Sequence, residues 1–490
     1  MSDQARATAT PSFTRLTVTA GSEPFGTAFL PDLAVGFDLD PVGYVEREYL
    51  VTGEADLFDY AADGSRRIRT ADVPFTTRIL VRRPAESSRF SGTVHVEPLH
   101  PEHDNPPTWR SLAPHIVRSG HAYVGVTVFP GPVREMIDDF DPERYADLTI
   151  PFEGLGFSIL QQVTRMLRTA AALEIFGRPV RSLFVSGWSA TGSMVRVYLA
   201  EGFHAENLLD DGRPVVDGYA LCIAGGGDYA LGYWPLSDGV TPPPLDDPRR
   251  TVQAIGVPVM EILSEYESES NGTSSRDDAD GPEDLFRLYQ VAGTSHSSGA
   301  TGRGGQTAAD QLEKKGIRKP LREILEEASD ARMDLVVIAL FAKLERWAQE
   351  GEIPPKVTPF STLASRDDGP CALFPEALPL RREVDGNVIG GVRTPWTEVP
   401  TAAYLPHSTP RPGRCEVPPQ APIAGPEYLA DIVGHRVPFP IEKLRARYGD
   451  AAAYRERYVR RLDRLIRDGW VLAEDRAAFV NALPAGDDWT

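Results

Sequence analysis

The chain of 490 residues has only three cysteines, Cys222, Cys371 and Cys415, widely spaced and without a C-x-x-C pair. That excludes a disulfide framework and gives no zinc knuckle. Cys222 lies inside an apolar run and reads as a small core residue. Positive charge is also in deficit: 51 Lys and Arg stand against 70 Asp and Glu, a net charge of −19, and nowhere do Lys and Arg cluster in a run. A phosphate backbone or an anionic lipid surface would find no electrostatic footprint here, so neither nucleic acid nor membrane is an expected partner. No stretch approaches the roughly 18 consecutive apolar residues of a spanning helix, and the N-terminal residues lack the basic-then-apolar pattern of a signal peptide. The expectation is a cytoplasmic chain.

What the sequence does have is the make-up of a large globular protein, with 41% hydrophobic and 25% charged residues and 43 each of Gly and Pro. A sizeable core is within reach and many loops are expected. Residues 1–11 are small and polar and read as a frayed terminus, with order beginning near Phe13. From about Thr76, short β-branched runs alternate with helical runs, the pattern of a mostly parallel sheet covered on both faces. Strands are expected at Thr76–Val81, Gly92–Leu99, His121–Phe129, Ser182–Trp188, Val215–Ala224, Val257–Leu263 and Leu285–Val291. Helices are expected at Trp109–Ser119, Phe157–Phe176, Ser193–Ala200 and Ala331–Gln349. In the second of these Ile159, Val163, Met166, Ala170 and Leu173 form one apolar stripe, and Gly177 follows as a stop. A Gly-rich loop carries Gly302, Gly304 and Gly305, and a Pro- and Gly-rich segment runs from Pro354 to about Pro440. The expected organisation is an N-terminal extension over 1–45, an α/β core over 46–350 and an appended C-terminal region over 351–490.

The sharpest local feature is Val185-Ser186-Gly187-Trp188-Ser189-Ala190-Thr191-Gly192, where a strand runs straight into a helix with a serine at the corner. Such a turn strains the serine backbone, lifts the hydroxyl clear of the sheet and aims the next amide at a developing oxyanion. The glycine that usually follows two residues after the serine is Thr191 here, with Gly192 next. A serine used in this way needs an acid and then a histidine at later strand ends. Ser264-Glu265-Tyr266-Glu267 ends one strand and Ala292-Gly293-Thr294-Ser295-His296 ends the next. His296, in a small polar turn, is the candidate general base. Glu267 is at the usual offset for the orienting carboxylate and is favoured over Glu265.

The oxyanion hole needs a second amide beside that of Ala190, and the loop Glu97-Pro98-Leu99-His100 offers Leu99 or His100, since Pro98 cannot donate. Trp188, Tyr229, Tyr233 and Trp234 lie just past strand ends, where substrate pockets form; rim packing would use them equally well. His100, His103 and Asp104 are the ligand types of a metal site, but their spacing matches no metal signature and the plainer reading is a solvated polar loop.

The order Ser189, acidic strand end, His296 resembles the α/β-hydrolase superfamily, and more narrowly the bacterial alpha/beta hydrolase domain-containing proteins. The likeness extends to Gly43–Tyr49, Pro74–Pro84, Gly92–Glu97, Val291–His296, Leu344–Trp347 and Gly390–Trp396, so it covers most of residues 40–410. Members share an elbow of the form G-x-S-Q-S-G, which Gly187–Gly192 follows with Ala190 and Thr191 substituted, and this implies that Ser189 is the nucleophile. The chain departs from the family at Pro98-Leu99-His100, usually Trp-Leu-Asn, and at Glu267, usually Asp. The resemblance implies an α/β-hydrolase fold and hydrolysis, usually of esters. The resulting expectation is a cofactor-free serine hydrolase that cleaves a small-molecule carboxylic ester through an acyl-enzyme on Ser189. A metal-dependent hydrolase using the His100, His103 and Asp104 loop, or an inactive binding protein of the same fold, are the alternatives. A net charge of −19 favours a neutral or cationic substrate.

Overall fold

Runs of Val, Ile and Leu bounded by turn residues build the strands of one sheet. A computed structural model describes residues 11–19, 21–30, 35–36, 38–226, 232–270, 274–297, 307–317, 321–363, 379–416 and 425–483. The strands are β1 (Ser12–Leu16), β2 (Tyr44–Tyr60), β3 (Arg66–Pro84), β4 (Thr93–Pro98), β5 (Ala122–Val126), β6 (Ser182–Trp188), β7 (Gly218–Cys222), β8 (Val259–Leu263), β9 (Ala279–Gly281) and β10 (Asp284–Gln290). Their order is β1-β2-β3-β5-β4-β6-β7-β8-β10-β9. All ten have residues in the first of two compact units, Met1–Val259 with Ser274–Phe286 and Gly304–Lys319. β8 and β10 run on into the second, Met260–Thr273 with Arg287–Arg303 and Pro320–Thr490.

The centre of the sheet is parallel, β5 with β4, β4 with β6 and β6 with β7. Antiparallel pairs flank it, β1 with β2, β2 with β3 and β3 with β5 on one side and β9 with β10 on the other. β4, β5 and β7 are buried along their whole length; β5 and β7 accordingly read as nearly unbroken apolar runs, whereas β4 also buries His95 and Glu97. Cys222 at the end of β7 is fully buried, as its surroundings in the sequence led one to expect. Helices α1 (Pro107–Arg118) and α3 (Ala190–Ala200) pack on the central strands, and α2 (Leu155–Met166) packs on β2.

Two differences from the sequence expectation have physical causes. β2 and β3 form a long hairpin of 17 and 19 residues, of which only Thr76–Val81 is announced by its sequence. The outer residues Arg67–Asp72 are exposed without alternation, so they carry no period-2 signal. The helix expected over Phe157–Phe176 is two helices, α2 and Ala171–Phe176. Thr169 interrupts the run by donating its hydroxyl to the Met166 carbonyl (2.7 Å) and accepting from the Ala171 amide (3.3 Å). The break turns the second helix, so that Leu173 is 54% exposed although Ile159, Val163 and Met166 are buried. Gly177 does stop it, at φ 75°.

In the second unit, helix α4 (Glu265–Ser270) follows β8 and helix α5 (Met333–Glu350) is the longest element. A small sheet orders Glu327–Ala328, His435–Pro438 and Ala402–Leu405. A core of Leu335, Trp396, Tyr404, Tyr458, Leu462 and Phe479 joins the C-terminal helices to it. Among the described residues, no helix is long and apolar enough to cross a membrane.

The charges inside the first unit are concentrated on Arg78. Fully buried on β3, its guanidinium bonds Glu48 on β2, Asp104 (3.1 Å) and the Thr127 hydroxyl (3.1 Å). Arg144 (2.6 Å) and the Tyr145 hydroxyl (2.9 Å) complete the shell of Glu48. Such a pair tolerates joint replacement far better than loss of one member, which strands a buried charge. Arg78→Met is expected to destabilise the protein by about 3–5 kcal/mol in denaturant titrations, and adding Asp104→Leu should recover part of the loss.

Candidate active site

Ser189 is the single residue between β6 and α3, and it sits at φ 53° and ψ −122°. A non-glycine residue pays for that region in steric strain, so its persistence needs outside support. Its amide donates to the Cys222 carbonyl (3.0 Å), and its own carbonyl accepts the first helical bond, from the Ser193 amide (2.9 Å). Gly187 is required because a Cβ there would lie 2.3 Å from the Thr191 carbonyl oxygen. Gly192 is required for a different reason, a Cβ at 2.6 Å from that of Ala224.

Thr191, at the place where a glycine is usual, closes the corner itself. Its hydroxyl accepts from the Trp188 amide and donates to the Trp188 carbonyl, both at 2.9 Å. Below, the Ser186 and Thr108 hydroxyls share a bond (2.9 Å), and Glu97 accepts from the Thr108 amide and the Tyr123 hydroxyl, each at 2.7 Å. Burial pushes the Glu97 carboxyl up to about 7 against these donors. The serine therefore sits partly open above a closed polar network.

Ala190 is the first residue of α3, so its amide is among those a helix leaves without an intrahelical acceptor. The other two expected oxyanion donors are engaged elsewhere, a correction to the sequence reading. The Leu99 amide donates to the Val126 carbonyl (2.8 Å) and the His100 amide to the Asn105 carbonyl (3.0 Å). Neither has a proton to spare for an oxyanion.

The acid and the histidine come together in the second unit. His296 Nδ1 lies 2.6 Å from Glu267, with the histidine 14% exposed and the glutamate 1%. Glu267 also accepts from the Ser264 amide (3.1 Å) and hydroxyl (2.5 Å). Burial raises the Glu267 carboxyl, but His296 and Ser264 outweigh it and leave it below its ordinary value. A carboxylate only accepts, so His296 carries its proton on Nδ1 and presents Nε2 as an acceptor. Glu265 has other work: it accepts from the Gly293 amide (2.7 Å) and bonds Arg382 (2.8 Å), which ties α4 to the histidine turn. The turn itself is stapled downstream, by Ser295 to the Pro406 carbonyl (2.5 Å) and by the Ser297 amide to the Ile432 carbonyl (2.8 Å).

The remaining candidates divide. Trp188 is buried at the end of β6, 7% exposed, and Trp234 packs against Phe129 at 5.1 Å. Tyr233 is taken up by Glu201 (2.7 Å) and lies under Arg250. Tyr229, Cys371 and the loop with Gly302, Gly304 and Gly305 lie outside the described residues. The three residues of the rival metal reading are each bound to something else. His100 accepts from the Glu102 amide (3.1 Å), His103 bonds Glu135 (2.7 Å) and Asp104 holds Arg78 and Thr127. His103 and Asp104 also have left-handed backbones, φ 57° and 51°, which fix this loop as a structural turn. Ser264, whose amide and hydroxyl both meet Glu267, carries no local signal of that role.

The family model described as "Alpha/beta hydrolase domain" matches residues 9–481 of this chain. No curated protein matches the sequence at a significant level. Solved structures similar to this chain include a putative dienelactone hydrolase from Klebsiella pneumoniae subsp. pneumoniae, at 12% identity over 55% of this chain and 96% of that one, TM-score 0.25. A thermostable esterase from Pseudomonas putida matches at 16% identity over 58% of this chain and 73% of that one, TM-score 0.27. A hyperthermophilic esterase from the archaeon Pyrobaculum calidifontis matches at 14% identity over 48% and 73%, TM-score 0.26.

The depressed Glu267 carboxyl fixes the sign of one pH effect. A carboxyl held below its unfolded value of 4.5 adds stability above that value, and the gain is lost as the pH falls through the folded-state value. The difference in melting temperature between wild type and Glu267→Gln should therefore keep its full size above about pH 4.5 and shrink steadily below it.

Proposed function

We propose, for a chain that belongs to the alpha/beta hydrolase domain family, that it is a serine esterase with Ser189 as nucleophile, His296 as general base and Glu267 as the orienting acid. The observation that carries this reading is the strained, partly exposed Ser189 at the strand-to-helix corner that heads α3. His296 Nε2 takes the hydroxyl proton as Ser189 attacks the ester carbonyl, and Glu267 stabilises the imidazolium that results. The Ala190 amide and the positive end of α3 receive the oxyanion. The proton passes to the departing alkoxide, and the acyl group stays on Ser189. Water then gives a proton to His296 and attacks the acyl carbonyl, which releases the carboxylic acid and restores the serine. A small neutral or cationic ester suits a chain of net charge −19, with Trp188 and Trp234 as candidate pocket walls.

Labelling with a fluorophosphonate probe, alongside a panel of p-nitrophenyl esters of increasing acyl length, tests the proposal. Ser189→Ala should abolish labelling, and His296→Ala should lower turnover by about 10³-fold or more. Labelling that survives Ser189→Ala would remove the nucleophile and with it the reading. Glu267→Gln should cost turnover by about 10²-fold or more, whereas Glu265→Gln should show mainly as a lower melting temperature.

A further inference from the structure

Helix α4 carries three buried glutamates at alternate positions, Glu265, Glu267 and Glu269. Glu265 is met by Arg382 and Glu267 by His296; Glu269 is met by His407 Nε2 at 2.8 Å. The other ring nitrogen of His407 lies 3.0 Å from Asp431. Carboxylates do not donate, so a ring held between two of them needs a proton on each nitrogen. His407 is thus an imidazolium by geometry. Burial opposes the charge, but Asp431 and Glu269 outweigh it and push the pKa up to about 10.

This charge stands close to the base. The His407 ring packs on Tyr266 at 5.1 Å, and the same tyrosine ring meets His296 at 5.9 Å. The titratable and charged groups around this aromatic bridge come from several elements. Glu265, Glu267 and Glu269 lie on α4; Tyr428 and Asp431 come from Pro426–Asp431; Arg382, 3.8 Å from Glu269, comes from the segment after Pro379; His407 follows the strand Ala402–Leu405. His435 meets the His407 carbonyl (2.5 Å) and the Ser408 hydroxyl and lies within electrostatic reach of Glu326. Four carboxylates therefore face two fixed cations, Arg382 and His407. Without His407 they would face one.

We propose that His407 is a positioning residue for the acid–base pair: its fixed charge joins Glu269 to Asp431, holds α4 in place for Glu267, and offsets part of the negative field around the His296 ring. The inference rests on the Ser189 and His296 reading above. A base that must be neutral to act is lost on the acid side of the pH–rate profile, so the field around it sets where activity begins.

The test is the pH profile of kcat/KM for a p-nitrophenyl ester in the full-length protein. His407→Gln should move the acid limb upward by about half a pH unit or more, as expected for one charge removed at this range. His407→Arg, which keeps the charge, should return the limb to its wild-type position. Asp431→Asn removes a negative charge and should move it the other way. A limb that stays in place in both His407→Gln and Asp431→Asn, with only the plateau reduced, would overturn the proposal and leave His407 a structural clamp. Should His407→Gln fail to fold, an unmoved limb in Asp431→Asn alone would overturn it. Fluorophosphonate labelling that persists in Ser189→Ala would instead bring down the reading beneath, and this inference with it. The two failures are read by different measurements.

Discussion

One residue has to turn a buried parallel strand into a helix, and the arrangement around that corner follows from it. The positive φ of Ser189 costs on the order of 1–3 kcal/mol, and the surrounding contacts must repay it. They do so in layers. Thr191 bonds both backbone groups of Trp188, Cys222 receives the serine amide, and the glycines at 187 and 192 leave the space the turn needs. Deeper still, Ser186, Thr108, Glu97 and Tyr123 form a chain of hydrogen bonds in which each polar atom has a use. A buried polar network that is fully satisfied stiffens its surroundings, whereas a half-satisfied one would soften them.

The strained Ser189 lies in the first compact unit and the Glu267–His296 pair in the second, and β8 and β10 have residues in both. In the second unit the histidine turn has little regular structure of its own. It is held by side chains at its borders: Glu265 on the Gly293 amide, and Ser295 on the Pro406 and Ile432 carbonyls. The C-terminal region thus anchors the His296 turn without contributing to the Glu267–His296 pair itself.

Much of this was legible because the site residues sit at strand ends, where an apolar run stops abruptly. The elbow at Ser189 and the turn at His296 both follow such runs, and the choice of Glu267 over Glu265 came from its offset. What stayed hidden depends on partners far away in sequence. Nothing local in Leu99 or His100 reveals that their amides are spent on Val126 and Asn105. The same holds for His103 and Asp104, whose ligand-like chemistry is absorbed by Glu135 and Arg78. The outer half of the β2–β3 hairpin escaped notice because strands exposed on both faces lack the alternation by which a strand is recognised.

The stapling of the histidine turn has a consequence for the order of events during synthesis. Ser295 and Ser297 take their partners from Pro406 and Ile432, more than a hundred residues downstream. At about 5–20 residues per second, a ribosome that has made the β6–α3 corner needs on the order of ten to fifty seconds more to reach Ile432. Throughout that interval the His296 turn lacks the downstream carbonyls that hold it in the finished fold.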